Sequence, residues 1–376
     1  MAAIRNALVV GGGLAGQTLA TALTRAGIRV EVIELHPRWN VLGVGISVQG
    51  PTLRALKSIG LLDFCLKDGF GYSELTNCDQ NGKVLSVVDL PRMLGPDYPS
   101  CVGIMRPMLH DVLFAAMQES KVPVRMGVTL KSLRQSDDGV DVSFSDGSTG
   151  RYDVVIGADG AHSKLREELF GTTHKPVYTG QAVWRAMVPR PSNVRGRHSY
   201  YGPRHKSGFN PVSQTQMYIY LVENVTGNPR VEPDEWPARM RGLLQDFGGH
   251  IGEVRETITD PSRIVYRPVE SMIMPKPWHK GRVVLIGDAV HTAPPQLASG
   301  AAVAIEDAIV LAEMLSSGIG AVADILTRFV DRRFERCRIV VENSYQLGEW
   351  EKNPGTAGAD PSALQAASYA ALSQPA

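Results

Sequence analysis

Three short segments hold the residues whose types and spacing suggest chemistry. The first is Gly11-Gly12-Gly13-Leu14-Ala15-Gly16, a GxGxxG run. It lies between the apolar stretch Ile4 to Val10 and a segment, Leu14 to Arg25, with helical spacing of Leu14, Leu19, Ala22 and Leu23. In such a run Gly11 permits a tight turn, Gly13 lets the backbone approach a pyrophosphate, and Gly16 lets helix and strand pack closely. The N–H groups that open the helix face the phosphate charge. Glu34 ends the next β-rich stretch, Ile28 to Ile33, placed to accept hydrogen bonds from a ribose hydroxyl. A glycine turn without a ligand is the plainer reading of GxGxxG alone. Here strand, helix, second strand and terminal acid agree on a dinucleotide, and leave FAD and NAD equal.

The second segment runs from Asp153 through Asp159-Gly160 to Ser163 and Arg166. An apolar strand delivers Asp159 and Gly160 to a turn, and Ser163 can cap the helix that follows. The third is Gly287-Asp288-Ala289-Val290-His291-Thr-Ala-Pro294-Pro295, then Gly300 and Glu306-Asp307-Ala308. Asp288, ending a buried strand, can accept a hydrogen bond from a sugar-chain hydroxyl, and Gly300 opens a helix with free amides. Each segment alone is also an ordinary strand, turn and helix. His291 invites a reading as general base, but its place in the loop suits a stabilising role better.

The elements that must position these loops alternate between two patterns. The start reads strand, helix, strand, which implies a parallel sheet with a right-handed crossover. Between Phe70 and Ser100 come short strands and turns, with Asn81-Gly82 as a hairpin signal. Leu109 to Gln118 is helical, and Val140 to Phe144 leads through a turn to the buried strand Tyr152 to Ile156. From about Thr173 to Val269 the chain is strand-rich and reads as a separate antiparallel sheet. A buried strand, Arg282 to Ile286, precedes helices over Gly300 to Leu315 and Ala323 to Gln346. Pro354 to Ala376 is rich in Ala, Ser, Gly and Pro and reads in part as a poorly ordered tail.

Composition narrows the setting. The 376 residues suffice for two fused lobes, and a formal charge of +1 sets up no field toward nucleic acid or anionic membrane. Four spaced cysteines (Cys65, Cys78, Cys101, Cys337) read as reduced thiols, not a zinc site, so no metal is expected. No secretory signal or membrane span is read, and a cytoplasmic protein, monomer or homodimer, is expected.

In this order and at these separations the three motifs resemble the group A flavoprotein monooxygenases, the class of para-hydroxybenzoate hydroxylase, over roughly residues 4 to 345. The resemblance implies an α/β fold: a Rossmann-like FAD-binding lobe with an inserted, mostly antiparallel β-sheet substrate lobe and C-terminal helices. The lobes would be 1–72, 101–174 and 270–345 for FAD, 73–100 and 175–269 for substrate, and 346–376 a C-terminal helix or tail. Gly11, Gly13, Leu14, Ala15, Gly16, Glu34 and Val128 would hold the ADP half of FAD. Arg106 matches the family arginine that opens a helix toward FAD. Asp159 and Gly160 belong to the motif linked to both FAD and NAD(P)H. Asp288, Gly300 and Ala301 would meet the ribityl, pyrophosphate or ring region, with Pro295 beside the isoalloxazine and the substrate. One departure stands out: where many members have Gly-Gln-Gly, this chain has Ala298-Ser299-Gly300.

The implied activity is hydroxylation of a small phenolic or hydroxylated N-heteroaromatic compound, with NAD(P)H and O2 as co-substrates and a flavin hydroperoxide as oxygen donor. Alternatives are another FAD oxidoreductase on this fold, a dehydrogenase or halogenase, or a flavin-binding redox sensor without turnover. The WxWxIP run of flavin halogenases is absent. The segment from His205 to Gln214, with Met217 to Tyr220, resembles the substrate-facing strands. Alternation puts Tyr218 and Tyr220 on one face and Met217, Ile219 and Leu221 on the other. Tyr218, Tyr220, Pro295 and His205 are the catalytic candidates, although His205 reads more simply as a turn residue. Phe209 and Ser213 are the substrate candidates. No arginine lies between Arg204 and Arg230, so the substrate either lacks a carboxylate or binds it through Lys206 or a more distant group. Trp184-Arg185 reads as packing where the lobes meet. Arg332, Arg333, Arg336 and Arg338 read as a solvated helix face or as contacts to a nicotinamide phosphate.

Overall fold

A computed structural model describes residues 4–39 and 43–376. The N-terminal pattern folds as its periodicity requires: strand Asn6–Val10, helix Leu14–Arg25, strand Arg29–Glu34. These strands lie at the centre of a six-stranded sheet in the order 279–280, 283–285, 154–157, 6–10, 29–34, 124–126. All its pairings are parallel except the edge pair, His279–Lys280 with Val283–Leu285. Near-continuous apolar runs such as Ala7 to Val10 and Val154 to Ile156 are buried, as a sheet covered on both faces demands. Strands 6–10, 154–157 and 283–285 run side by side, so the loops at their C-terminal ends, which carry the three motifs, meet at one sheet edge.

The second large sheet has eight strands, in the order 291–292, 264–273, 177–189, 216–224, 206–211, 197–201, 74–79, 84–89. It is antiparallel except where Arg197–Tyr201 runs parallel to Glu74–Asp79. The Asn81-Gly82 turn joins its last two strands, with Gly82 at φ +90°, a conformation glycine adopts at little cost. One face packs on helices Trp236–Leu243 and Gly249–Arg255 through Trp184, Phe209, Met217, Ile219 and Leu221. A small sheet, Gly45–Gln49, Cys101–Met105 and Phe70–Tyr72, lies against the other face: a Cβ at Gly103 would stand 1.9 Å from the Pro211 carbonyl oxygen.

The C-terminal segment departs from expectation. Helix Val322–Lys352 is longer than its apolar pattern suggested, and 361–373 is a helix, not a loose tail. Asp360 accepts a hydrogen bond from the Ala363 N–H (2.8 Å) and Pro361 opens the helix, a start signal that the low-complexity composition obscured. Arg54 and Arg336 donate to its last carbonyls. No helix among the described residues is long and apolar enough to cross a membrane.

The arginine run is likewise only partly a solvated face. Arg332 is exposed and Arg338 pairs with Glu335 and Glu342, but Arg333 is fully buried, its Nε 2.7 Å from Asp307. Arg336 holds Glu306 at 2.7 Å. Asp307 also accepts from His291 Nε2 at 2.6 Å and the Gly287 N–H at 3.1 Å, so His291 has the loop-stabilising place expected of it. Burial would raise the Asp307 carboxyl, but His291 and Arg333 overcome it and hold it near about 2. Burial would lower His291, but the Cys337 sulfur and the Asp307 carboxylate beside it hold it well above its usual value. Stability from Asp307 is therefore complete above the ordinary carboxyl range and is lost as pH falls toward about 2. Stability from His291 is complete below its ordinary value, about 6.5, and is lost as pH rises beyond it. Asp307→Asn takes the shared carboxylate from His291 and Arg333 and leaves Arg333 with Glu306 alone, at 3.1 Å, so thermal or urea unfolding should show a loss of about 2–4 kcal/mol. A loss under about 1 kcal/mol would contradict this account.

Candidate active site

The glycine loop is shaped by close approach. Gly11, at φ +105°, would put a Cβ 2.4 Å from the Ala158 carbonyl oxygen, and Gly16 would put one 2.0 Å from the Gly11 carbonyl oxygen. Gly13 differs: a Cβ there would meet nothing within 4 Å. Gly13 is the N-cap of helix Leu14–Arg25, and no side chain caps it. The free N–H groups of that first turn therefore face open space, a place suited to a pyrophosphate. Glu34 accepts from the Gly12 N–H (2.8 Å) and the His36 N–H (2.9 Å), one oxygen each, so each oxygen keeps a lone pair for a ribose hydroxyl. Val128 sits beside it, its N–H on the Glu34 carbonyl at 3.0 Å.

Asp159 accepts from the Leu165 N–H with one oxygen, while its other oxygen is buried without a partner. Burial raises this carboxyl above its usual range. Ser163 caps the next helix as read, accepting from the Arg166 N–H at 2.9 Å. Arg166 does more than a helix residue need do. Its guanidinium donates to the Ala161 and Ala289 carbonyls (2.9 and 2.8 Å), stapling the second motif to the third.

The three motifs line one cavity of about 420 Å³. Its walls include Gly13, Leu14 and Ala15 from the first motif, Gly160 from the second, and Asp288, Pro295, Gly300 and Ala301 from the third, with Arg106 between. Asp288 opens onto the cavity but is otherwise enclosed by protein, which raises its carboxyl pKa, partly offset by His291 and Arg106. At the departure from Gly-Gln-Gly, Ala298 takes a left-handed conformation (φ +51°), which glycine would hold at less cost. Ser299 fastens the loop instead, donating to Gln49 Oε1 (3.1 Å) and the Leu297 carbonyl (2.9 Å). Open space at Gly13, uncapped helix amides, an orphaned Asp159 oxygen and cationic Arg106 together fit FAD.

The far wall belongs to the eight-stranded sheet. Alternation divided this strand into two faces, and the fold decides between them: Tyr218, Tyr220 and Val222 face the cavity, while Met217, Ile219 and Leu221 enter the core. Gly208 makes room for Tyr220, since a Cβ there would stand 2.5 Å from its hydroxyl, and that hydroxyl lies 3.0 Å from Ser199 Oγ. Burial raises the Tyr218 phenol, with Arg185 partly offsetting it.

Of the residues expected to hold FAD, Gly11, Gly16, Glu34, Val128 and Asp159 lie behind the cavity wall and do not line it, and three expected on the substrate side, Phe209, Ser213 and His205, do not reach it either. Phe209 pairs with Ile219 in the sheet, so it shares the core face and stacks on His198. Its neighbours Lys206 and Asn210 point the other way and do line the cavity. Ser213 Oγ accepts from the Thr215 and Gln216 N–H groups at the hairpin tip. His205 lies in the turn before Lys206 and lines a different cavity. Trp184 is not between lobes either; it is fully buried in the sheet's own core, donating to Glu223 at 2.8 Å.

Two arginines have a place the sequence did not give them: Arg185 reads there only as packing where the lobes meet, and Arg197 is not singled out. Arg185 and Arg197, on the flanking strands 177–189 and 197–201, both line the cavity. Neither forms an ion pair with a carboxylate among the described residues; their charged or titratable neighbours are tyrosines and, for Arg185, Arg106. Arg197 is 9% exposed, and its Nε has no partner. Both arginines lie outside the segment between Arg204 and Arg230 where a carboxylate anchor was expected, among the more distant groups left open for that role. The alternation of Val183, Arg185 and Met187 against Trp184, Ala186 and Val188 was the available signal.

The comparisons with known proteins agree with this geometry. The model of the FAD binding domain family matches residues 5–344. The chain is 30% identical to 2-heptyl-3-hydroxy-4(1H)-quinolone synthase of Pseudomonas aeruginosa, over 92% of this chain and 90% of that one. It is 29% identical to 6-hydroxynicotinate 3-monooxygenase of Bordetella bronchiseptica, over 90% of each. In fold it is similar to Klebsiella pneumoniae HpxO complexed with FAD and uric acid: TM-score 0.83, 23% identity, 98% of this chain and 92% of that one. With the three motifs meeting in one cavity, the chain belongs to the FAD binding domain family and is an FAD-dependent monooxygenase.

Proposed function

We propose that the enzyme hydroxylates a small, planar aromatic or N-heteroaromatic compound that carries a negative charge. The observation that supports this most directly is Arg197, nine-tenths buried with an unpartnered Nε and facing the cavity beside Arg185. A buried guanidinium without a counter-ion costs several kcal/mol, a cost that an anionic ligand removes. Cations also outnumber carboxylates among the cavity residues: Arg106, Arg185, Arg197 and Lys206 against Asp288 and Glu351. Relatives named for 6-hydroxynicotinate and for 3-amino-4-hydroxybenzoate, both carboxylates, agree with an anionic ring compound.

Bound FAD supplies electron transfer from NAD(P)H to O2, and the net reaction consumes NAD(P)H, O2 and a proton to give hydroxylated product, water and NAD(P)+. The protein's own part is to hold the ring, activate it and keep water away. Arg185 and Arg197 would pin the anionic group and favour the ionised, electron-rich form of a ring hydroxyl. Tyr218, held protonated by burial, acts as a donor to the substrate rather than as a base. Tyr220, hydrogen-bonded to Ser199, is placed to relay a proton from the ring hydroxyl. Pro295 would pack beside the flavin ring and the substrate. Glu34, Val128, Asp159, Gly160, Asp288, Gly300 and Ala301 would hold the FAD, as their placement around the motifs supports. The lobe division at residues 72, 100, 174 and 269 is part of this proposal; the two large sheets draw most of their strands from those separate segments.

The test is oxygen uptake by the yellow holoprotein with NADH or NADPH, across hydroxylated benzoates, hydroxypyridine carboxylates and their neutral counterparts. Acids that stimulate NAD(P)H oxidation and yield a product heavier by one oxygen would support the reading. Stimulation by neutral phenols alone would sink the anionic assignment, and a flavin-loaded protein inert toward the whole panel would favour a redox sensor.

A further inference from the structure

A second cavity, of about 370 Å³, lies between the eight-stranded sheet and the C-terminal helices. It is nearly as large as the first and shares three residues with it: Lys206, Val222 and Glu351. Lys206 Nζ and Glu351 Oε1 are 2.9 Å apart, with side chains only 15% and 20% exposed. The two cavities thus abut at an ion pair. We propose that the second cavity is an antechamber that collects the anionic aromatic substrate, and that the Lys206–Glu351 pair is the gate between it and the flavin site. The anionic character of the ligand rests on the function proposed above; the route does not.

The antechamber's lining suits that ligand. Tyr201 and Trp350 offer aromatic surface for a planar ring, and the cations there, Arg204 and Lys206, are each held by one carboxylate, Asp246 and Glu351, that an arriving anion can displace; Glu351 is the one carboxylate among the lining residues. Lys206 also lies 5.5 Å from the centre of the Tyr201 ring. The far wall is the connector between helices 322–352 and 361–373, with Pro354, Gly355, Thr356 and Ala359.

Lys206 is a poor substrate anchor, because Glu351 already neutralises it, whereas Arg185 and Arg197 are free of carboxylates. As a gate the pair is well placed. Glu351 Oε2 accepts from Gln296 Nε2 (3.1 Å), which also donates to Gln181 Oε1 (2.9 Å). Gln296 follows Pro295 directly, so the gate is tied to the loop beside the flavin. Gly348 leaves space for this contact: a Cβ there would stand 2.8 Å from Gln181 Oε1. Closing the pair would keep water from the reacting centre, and an arriving anion would compete with Glu351 for Lys206 and part it.

The test needs no knowledge of the substrate. The native cysteines are all buried. Val183, on the wall of the flavin cavity, is changed to cysteine, and the holoprotein is labelled with the anionic thiol reagent 2-sulfonatoethyl methanethiosulfonate; the parent protein supplies the background. Adding Glu351→Gln should speed labelling about fivefold, as expected for loss of a half-buried ion pair. Adding Ala359→Trp, or Gln365→Trp should the first not fold, fills the antechamber and should slow labelling about tenfold or more. Flavin absorbance is read on every variant, so a colourless protein reports failure of FAD binding and not of the route. Labelling unchanged by a folded, yellow plugged variant overturns the route. Labelling slowed by the plug but unchanged by Glu351→Gln overturns the gate.

Discussion

Gly13→Val is expected to give a folded but colourless protein. Gly13 has ordinary extended dihedrals (φ −73°, ψ −174°), and a Cβ there meets nothing within 4 Å, so valine costs the fold little. The branched side chain would occupy the space through which the first turn of helix Leu14–Arg25 meets a pyrophosphate. FAD affinity should fall about 100-fold or more, roughly 2.7 kcal/mol, while the melting temperature of the apoprotein stays within a few degrees of wild type. Gly16→Val makes the contrast, because its Cβ would sit 2.0 Å from the Gly11 carbonyl and 3.3 Å from Val9 Cγ1. That variant should lose the fold and the flavin together. Flavin titration and thermal unfolding of both proteins separate the two cases. A yellow Gly13→Val protein with wild-type affinity would mean that the dinucleotide does not pass over this turn.

Arg197→Met should divide activity from stability. Methionine preserves much of the length and removes the charge, so an anionic substrate loses its partner in a site with little water. The loss should be about 3–4 kcal/mol, or two to three orders of magnitude in kcat/KM, with flavin absorbance unchanged. The same change removes a guanidinium that is 9% exposed with an unpartnered Nε, so the unliganded fold should hold its melting temperature or gain. Less activity with equal or greater stability marks a residue kept for binding. A fall in both together would instead make Arg197 a structural residue of the sheet. A normal kcat/KM would return the search for the anchor to Arg185.

The Rossmann half of the molecule was open to reading because its rules are local. Gly11, Gly13 and Gly16 are dictated by backbone approach over a few residues, and the helix from Leu14 to Arg25 by its apolar spacing. The alternation at 217–221 likewise put the tyrosines on the face opposite Met217, Ile219 and Leu221, although which of the two faces is buried needed the helices that cover the sheet. Phe209 could have been sorted in the same way, since its strand partner is Ile219, but cross-strand register had first to be known. The C-terminal helix was obscured because Ala- and Ser-rich sequence suits both a helix and a loose tail. Docking against Arg54 and Arg336 settles it.

From residue order came the dinucleotide loop, the turns of the other two motifs and the division of strand 216–224 into two faces, because each depends on near neighbours in the chain; the flavin class came from the order and separation of the three motifs, through their resemblance to a known family. Folding supplied the rest: Arg185 and Arg197 converging from strands that flank the expected pair, Arg166 joining two motifs, and Lys206 meeting Glu351 across 145 residues. Those meetings depend on how sheets and helices pack in three dimensions, and charge complementarity between distant segments leaves no periodic trace in either one.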